Sequence, residues 1–207
     1  MPHPHHPKRS LEQQADFKKT FRKTGVRLNS FSGSAHYLPV VVFFEDEPRF
    51  GRLSRKMACW VKGNTVPCVA KQLIREYIYA YIALSPQTGD CYSMISPLCN
   101  TESMNEFLGQ LSTQYSGYRI ILMLDKAGWH ISQSLKHAEN IQLLHLNPYS
   151  PEHNPVELLW REIRRKYFHN RIFTSLDKVE ETLQQSLLDY YKNKEAIIKL
   201  SKGFLPN

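Results

Sequence analysis

The chain has 207 residues, 42% of them hydrophobic, which is enough to bury one substantial core. It carries 27 Lys and Arg against 19 Asp and Glu, and the resulting formal charge of +8 favours a polyanionic partner. No apolar run approaches the roughly 20 residues of a membrane span, and the N-terminus lacks the apolar segment of a signal peptide. The four cysteines form no C-x-x-C pair, so we expect reduced thiols in a cytoplasmic protein.

Residues 1–37 are predicted to form a basic linker that precedes the folded domain. The segment Pro2–Pro7 alternates proline with histidine, and each proline removes a backbone donor and restricts the residue before it. Regular helix or central strand is therefore excluded there. Residues 11–23 are predicted to form a short basic helix, and the folded domain is expected over residues 38–207.

From residue 38 onwards, the hydrophobic pattern predicts a mixed sheet flanked by helices, in the α/β (α+β) class. Strands are predicted at Pro39–Phe44, Arg75–Leu84, Cys91–Ile95, Arg119–Leu124 and Ile141–Leu146, with a hairpin formed by Met57–Val61 and Val66–Ala70. Helices are predicted at Thr101–Tyr115, Ile131–Glu139, Pro155–Phe168 and Leu176–Leu200.

Three carboxylates stand at the ends of these elements. Asp46 and Asp125 each end an apolar strand, and Glu157 lies in the first turn of an amphipathic helix. Each has an ordinary explanation alone: a solvated strand end, a cap of the turn after a strand, and a capping box that begins at Asn154. Together, two strands that supply Asp and a helix that supplies Glu are what two-metal phosphoryl transfer requires.

Side-chain periodicity gives two further expectations at these positions. In the first strand, Asp46 shares a face with the apolar residues at even positions, whereas Glu45 and Glu47 share the other face. On the helix, Arg161 and Arg164 follow Glu157 at i+4 and i+7, which suits a metal-bound phosphate site. An intrahelical Glu157–Arg161 pair, worth only about 0.3–0.5 kcal/mol, is the competing explanation.

Three ordered blocks, Phe43–Gly51, Leu124–His130 and Pro148–Trp160, carry a family resemblance. In these blocks the sequence resembles the catalytic domain of the mariner-type DDE transposases of the bacterial insertion-sequence branch. The resemblance implies a ribonuclease-H-like fold and assigns Asp46, Asp125 and Glu157 as the catalytic acidic triad and metal ligands. It also implies Mg²⁺ as the cofactor, as two ions, with Mn²⁺ as a substitute.

The resemblance further implies DNA cleavage and strand transfer at insertion-sequence ends. Expected partners are the transposon ends and target DNA, a second copy of the chain in a homodimer, and a separate helix-turn-helix protein from an upstream frame, because this chain corresponds to the catalytic half alone. The expected location is cytoplasmic, associated with the bacterial nucleoid. His130 and Asn154 are expected to support the metal ligands, although a helix-start role fits each equally well. The expected DNA-binding residues are Lys18, Lys19, Arg22, Lys23, Lys126, Arg161, Arg164 and Arg165.

Two departures from the family pattern leave alternatives open. Many relatives have Asn where this chain has Lys126, and the spacing from Asp125 to Glu157 (157 − 125 = 32) is slightly short. Lys126 would oppose metal binding if it pointed into the site, and would contact a DNA phosphate if it pointed away. The alternatives are a ribonuclease-H-like nuclease or resolvase without strand transfer, and an inactive or truncated DNA-binding remnant.

Overall fold

The computed structural model describes residues 38–54, 57–58, 62–63, 68–146, 154–202 and 204. Its strands are β1 (Val40–Asp46), β2 (Arg49–Leu53), β3 (Leu73–Leu84), β4 (Cys91–Ser96), β5 (Arg119–Leu124) and β6 (Ile141–His145). Its α-helices are α1 (Thr101–Gln114), α2 (Val156–Ile163), α3 (Leu176–Tyr191) and α4 (Lys194–Leu200). A 3₁₀ turn spans Gly128–His130, and a π-helical turn, Arg164–Phe168, continues α2.

The six strands form one mixed sheet, as the sequence predicts. β1 lies between β3, which is antiparallel to it, and β5, which is parallel to it. β6 extends the parallel side beyond β5, while β2 and β4 each pair antiparallel with β3. This order places the ends of β1 and β5 side by side at one edge of the sheet.

Helices cover both faces of the sheet, and the alternation of β1 explains why. Val41 and Phe43 pack in a core with α1, whereas Phe44 packs in a second core with α2 and α3. Trp160 of α2 is fully buried in the second core, which fixes this helix against the sheet. A central strand covered on both sides must be apolar throughout, and Val40–Phe44 meets that requirement.

Three predicted elements differ from the structure. The helix predicted at Ile131–Glu139 is wrong, because this segment is a loop. The Asn105 side chain of α1 holds the loop: it accepts from Lys136 N and donates to Ser134 O. The helix predicted at Leu176–Leu200 is two helices, since the Asn193 side chain accepts from Ala196 N and begins α4.

The predicted hairpin is also misplaced. Its described residues, 57–58 and 68–70, lie outside strands, and its remainder lies outside the described residues. The observed hairpin pairs β2 with β3, and β2 has no sequence prediction. A bulge between Gly51 and Leu53 interrupts this pairing. At Gly51 a side chain is excluded, because an added Cβ would lie 2.2 Å from the carbonyl oxygen of Glu76.

Candidate active site

Asp46 and Asp125 lie next to each other at the edge of the sheet. β1 and β5 run parallel, with Phe44 opposite Met123, so the same register places Asp46, two residues later, level with Asp125. Asp46 is partly buried, and the Asp125 side chain is 65% exposed. Asp46 is therefore partly withdrawn from solvent, while the mouth of the site is open on the Asp125 side.

Glu157 approaches the same place from the first turn of α2. Burial raises the pKa of Asp46 well above its usual range, and the nearby charges of Glu157, Glu47 and Asp125 raise it further. Burial also raises the pKa of Glu157, with Asp125 adding to the rise and Arg164 opposing it. The three predicted carboxylates thus interact electrostatically, and the arginine that stabilises the Glu157 charge is Arg164.

Asn154 joins α2 to β1. Its side-chain amide donates to the carbonyl oxygen of Glu45 at 2.8 Å, and its side-chain oxygen accepts from Val156 N at 3.1 Å. Pro155 is the residue immediately before the helix, one position later than a capping box starting at Asn154 requires. Asn154 therefore accepts from the first residue of the helix and fixes the helix start to the strand that carries Asp46.

A second group of ionisable side chains lies on the opposite face of β1. We call Glu45, Glu47 and His130 the closed cluster, because their side chains are only 0%, 5% and 1% exposed. His130 Nε2 lies 3.0 Å from Glu47 Oε1 and 3.6 Å from Glu45 Oε2. The Trp129 indole also donates a hydrogen bond to Glu47 Oε1.

His130 connects the closed cluster to the open carboxylates. Its Nδ1 lies 2.8 Å from Asp125 Oδ1, an atom that also accepts from Ala127 N at 2.8 Å. Burial alone would lower the pKa of His130, but its interactions with Asp125 and Glu47 raise it to about 9. The same bond to His130 lowers the pKa of Asp125. At neutral pH the ring is therefore an imidazolium, and its Nδ1 is hydrogen-bonded to the Asp125 carboxylate.

Two groups of residues are candidates for a metal ion, and in the described part of the chain only the first has its ligand atoms within 4.8 Å of one another. Glu45, Glu47 and His130 each offer a ligand atom within 4.8 Å of the others. However, a pKa of about 9 keeps protons on both ring nitrogens, and a metal would have to displace one. The open group of Asp46, Asp125 and Glu157 offers hard oxygen donors alone, whose mutual repulsion a divalent cation would relieve. Its chemistry therefore fits Mg²⁺ or Mn²⁺ better.

The expected DNA-binding residues fall into three groups. Lys18, Lys19, Arg22 and Lys23 lie outside the described residues. Lys126 is exposed directly beside Asp125. Arg161 and Arg165 are exposed, Arg164 is partly buried, and Arg165 forms an ion pair with Glu162 at 2.8 Å.

The sequence analysis missed Glu45, Glu47 and Trp129 as parts of the site. Period-two alternation placed both glutamates opposite Asp46, and the structure confirms this separation, but the pattern gave no sign that a buried histidine faces them. The signal that could have revealed it is the motif Asp125–His130 itself, because a five-residue turn can bring the ring back onto the strand end.

The chain matches the DDE superfamily endonuclease family over residues 41–180. An uncharacterized protein, y4pE/y4sA of Sinorhizobium fredii, is 38% identical over 104 residues, which are 50% of this chain and 77% of the relative. In the described part of the chain, no helix is long and apolar enough to cross a membrane.

Solved structures share the fold. A pre-cleavage Mos1 transpososome matches 99% of this chain with a TM-score of 0.66 at 13% identity, and the Mos1 mariner paired-end complex with Mn matches 97% with a TM-score of 0.62 at 14%. This chain covers 65% and 63% of those two chains. The fold expected from the sequence is confirmed, and since the family match spans most of the chain, the protein belongs to the DDE superfamily endonucleases.

Proposed function

We propose that this DDE endonuclease is the catalytic part of a transposase, which cleaves DNA at transposon ends and joins the freed end to target DNA. The observation that supports the proposal is the register that sets Asp46 level with Asp125 at one open edge of the sheet, where the charge of Glu157 also acts on Asp46. The Mos1 structures, two of which contain Mn or Mg, support divalent-metal use.

Asp46 and Asp125 would bind the metal from rigid strand ends, and Glu157 would close the site from α2. Two divalent cations, when bound, stabilise the charge that develops on the attacking and leaving oxygens. In the first step, attack by water on a DNA phosphorus breaks the P–O3′ bond and leaves a 3′-hydroxyl. In strand transfer, that hydroxyl attacks a target phosphodiester, so one P–O bond again forms as another breaks.

His130 and Asn154 would act as positioning residues. His130 holds the Asp125 carboxylate through Nδ1, and it is itself held by Glu47 on its other nitrogen. Asn154 fixes the beginning of α2, and with it Glu157, to the backbone of β1. Partners that orient metal ligands typically account for 10- to 100-fold in metal affinity or activity.

The exposed basic residues around the site would contact DNA phosphates. We also propose four features of the whole protein that the sequence resemblance implies. These are a basic linker over residues 1–37, a homodimer assembled on DNA, a separate helix-turn-helix partner that reads the transposon end, and association with the nucleoid. Base readout needs an element presented to a groove, whereas phosphate contacts do not specify sequence.

The first prediction tests the metal ligands. Asp125→Asn should abolish Mg²⁺-dependent nicking of a transposon-end duplex, because an amide cannot supply the negative charge that the cation requires. The measurement is nicking by purified protein with Mg²⁺ or Mn²⁺, with circular dichroism to show that the variant is folded. Asp90→Asn, at a turn remote from the triad, is the matched control. Undiminished nicking by Asp125→Asn would contradict the assignment, and nicking without joined products would favour a nuclease that lacks strand transfer.

A further inference from the structure

A cleft beside the proposed active site is lined by four arginines. It lies between β2 and the segment that follows α2, and its arginines are Arg49, Arg52, Arg164 and Arg171. We call it the arginine cleft. No carboxylate of the described residues lines it. Such a concentration of one charge in a concave surface attracts anions, because the positive potentials add there.

The wall of the cleft is held by a fixed set of hydrogen bonds. Arg52 Nε donates to the carbonyl oxygen of Phe173 at 3.0 Å, and its terminal nitrogens donate to Thr174 O and to Glu76, each at 2.8 Å. Gln72 adds a reciprocal pair with the backbone of Phe173, at 2.8 and 3.2 Å. The β2–β3 hairpin and the segment after α2 are thereby joined, so the arginines at the rim project from a rigid frame.

Aromatic rings support the rim arginines. The Arg164 guanidinium lies 5.2 Å from the centre of the Phe50 ring, and that of Arg49 lies 5.2 Å from the centre of the Tyr77 ring. Stacking on an aromatic face orients a guanidinium while its N–H donors stay available at the edge. Arg49 and Arg171 are exposed, so their donors reach solvent at the mouth.

The size of the cleft suits a phosphate group. Its cavity volume is about 50 Å³, well above the roughly 10–15 Å³ that a single water needs, so a small polar group can enter. Planar guanidinium forks match phosphate oxygens in a bidentate manner, which a lysine cannot reproduce.

Arg164 connects the cleft to the carboxylates. It begins the π-helical turn that continues α2, the helix that carries Glu157 in its first turn, and its guanidinium lies over the Phe50 ring in the wall of the cleft. A DNA strand whose scissile phosphate lay among Asp46, Asp125 and Glu157 would therefore have a neighbouring phosphate within reach of the cleft. We propose that the arginine cleft binds a backbone phosphate of the DNA strand that occupies the active site. This inference rests on the proposed function.

The test is binding of a fluorescent DNA duplex by the full chain in EDTA, followed by anisotropy between about 50 and 200 mM salt. In an Arg49→Ala/Arg171→Ala variant, the slope of log affinity against log salt should fall by about 0.9, since the cleft would bind one phosphate and each phosphate contact contributes about 0.9. Affinity near 0.1 M salt should fall roughly eightfold on the same basis. Arg49→Lys/Arg171→Lys should keep the slope but bind several-fold more weakly, because the planar fork is lost.

The matched control is Lys192→Ala/Lys199→Ala, which removes the same charge from exposed positions that do not line the cleft. If the alanine variant at the cleft matches this control, or if the lysine variant binds like the unaltered protein, the cleft is not a phosphate site. If the unaltered protein does not bind the duplex, the proposed function fails together with the cleft. Binding by the unaltered protein and the control, with loss in the cleft variants, supports this inference whatever the nicking assay gives.

Discussion

The last two residues of β1 and the residue after it are acidic, and these three acids belong to two different environments. Asp46 faces the open edge with Asp125 and Glu157, where the charges repel one another and solvent has access. Glu45 and Glu47 belong to the closed cluster, where the His130 imidazolium lies within ion-pair distance of both. The closed side carries its own cation, and we propose that the open side recruits a divalent one, so residues of one chemical type at adjacent positions would perform opposite tasks.

Replacing one acid from each side should separate the two tasks. Asp46→Asn should reduce nicking about 1,000-fold or more, because metal stabilisation of the transition state is worth several kcal/mol. It should not lower the thermal midpoint of the metal-free protein, since it removes a charge that its neighbours repel. Glu47→Gln should lower that midpoint, because it leaves a buried imidazolium short of a partner.

The two measurements are the nicking rate and thermal unfolding of both variants in EDTA. The comparison fails if Asp46→Asn destabilises the metal-free protein as much as Glu47→Gln does. It also fails if Glu47→Gln loses as much activity as Asp46→Asn, because the closed side would then take part in the chemistry directly.

The next effect concerns His130, which links the two sides. His130→Gln should reduce nicking about 10- to 100-fold, the usual consequence of losing a partner that orients a metal ligand. Because the loss arises through Asp125, a higher Mn²⁺ concentration should restore most of the rate, which it would not do for a merely unfolded protein. The half-saturating Mn²⁺ concentration is the measurement. An unchanged value would show that His130 does not act through Asp125.

The strand pattern explains how much of this site the sequence could predict. An apolar run from Val40 to Phe44 that ends in an acid predicts a central strand and an exposed edge, and period two separates Asp46 from its neighbours. The meeting of β1 with β5, however, depends on parallel pairing between residues 79 positions apart (119 − 40 = 79), which no local pattern encodes. The resemblance of three sequence blocks supplied that information instead.

The errors have local physical causes. Residues 131–139 have helical composition, yet the Asn105 side chain supplies backbone partners that hold them as a loop. The closed cluster escaped prediction because an acid beside an exposed strand end normally remains in water. Glu45 is instead buried, and its proximity to His130 depends on the tertiary position of a turn.

A smaller effect is expected on the titration of His130, which reports the charge state of the closed cluster and can be measured directly. The imidazole of His130 in metal-free protein should titrate in NMR spectra with a pKa of about 9, above its ordinary 6.5. Because the pKa of His130 is raised in the folded state, the stability that its protonated ring adds to the fold is fully present below pH 6.5. That contribution is lost as the pH rises through 9. Asp125→Asn should lower this pKa, since it removes the first of the two interactions that raise it. A midpoint near 6.5 in the unaltered protein would mean that the closed cluster lacks its internal cation.

The smallest effect is expected at Lys126, the residue that follows Asp125. Lys126 is exposed, and in the described structure the hydrogen bonds of the Asp125 side chain come from Ala127 N and the His130 ring. An exposed charge interaction is worth at most about 1 kcal/mol, so Lys126→Asn should change the nicking rate by no more than about fivefold at low salt. If the ammonium contacts a DNA phosphate, the salt slope of binding should also fall by about 0.9, with the Mg²⁺ requirement unchanged. A large fall in the Mg²⁺ concentration needed for nicking would instead show that Lys126 points into the open site and opposes the cation.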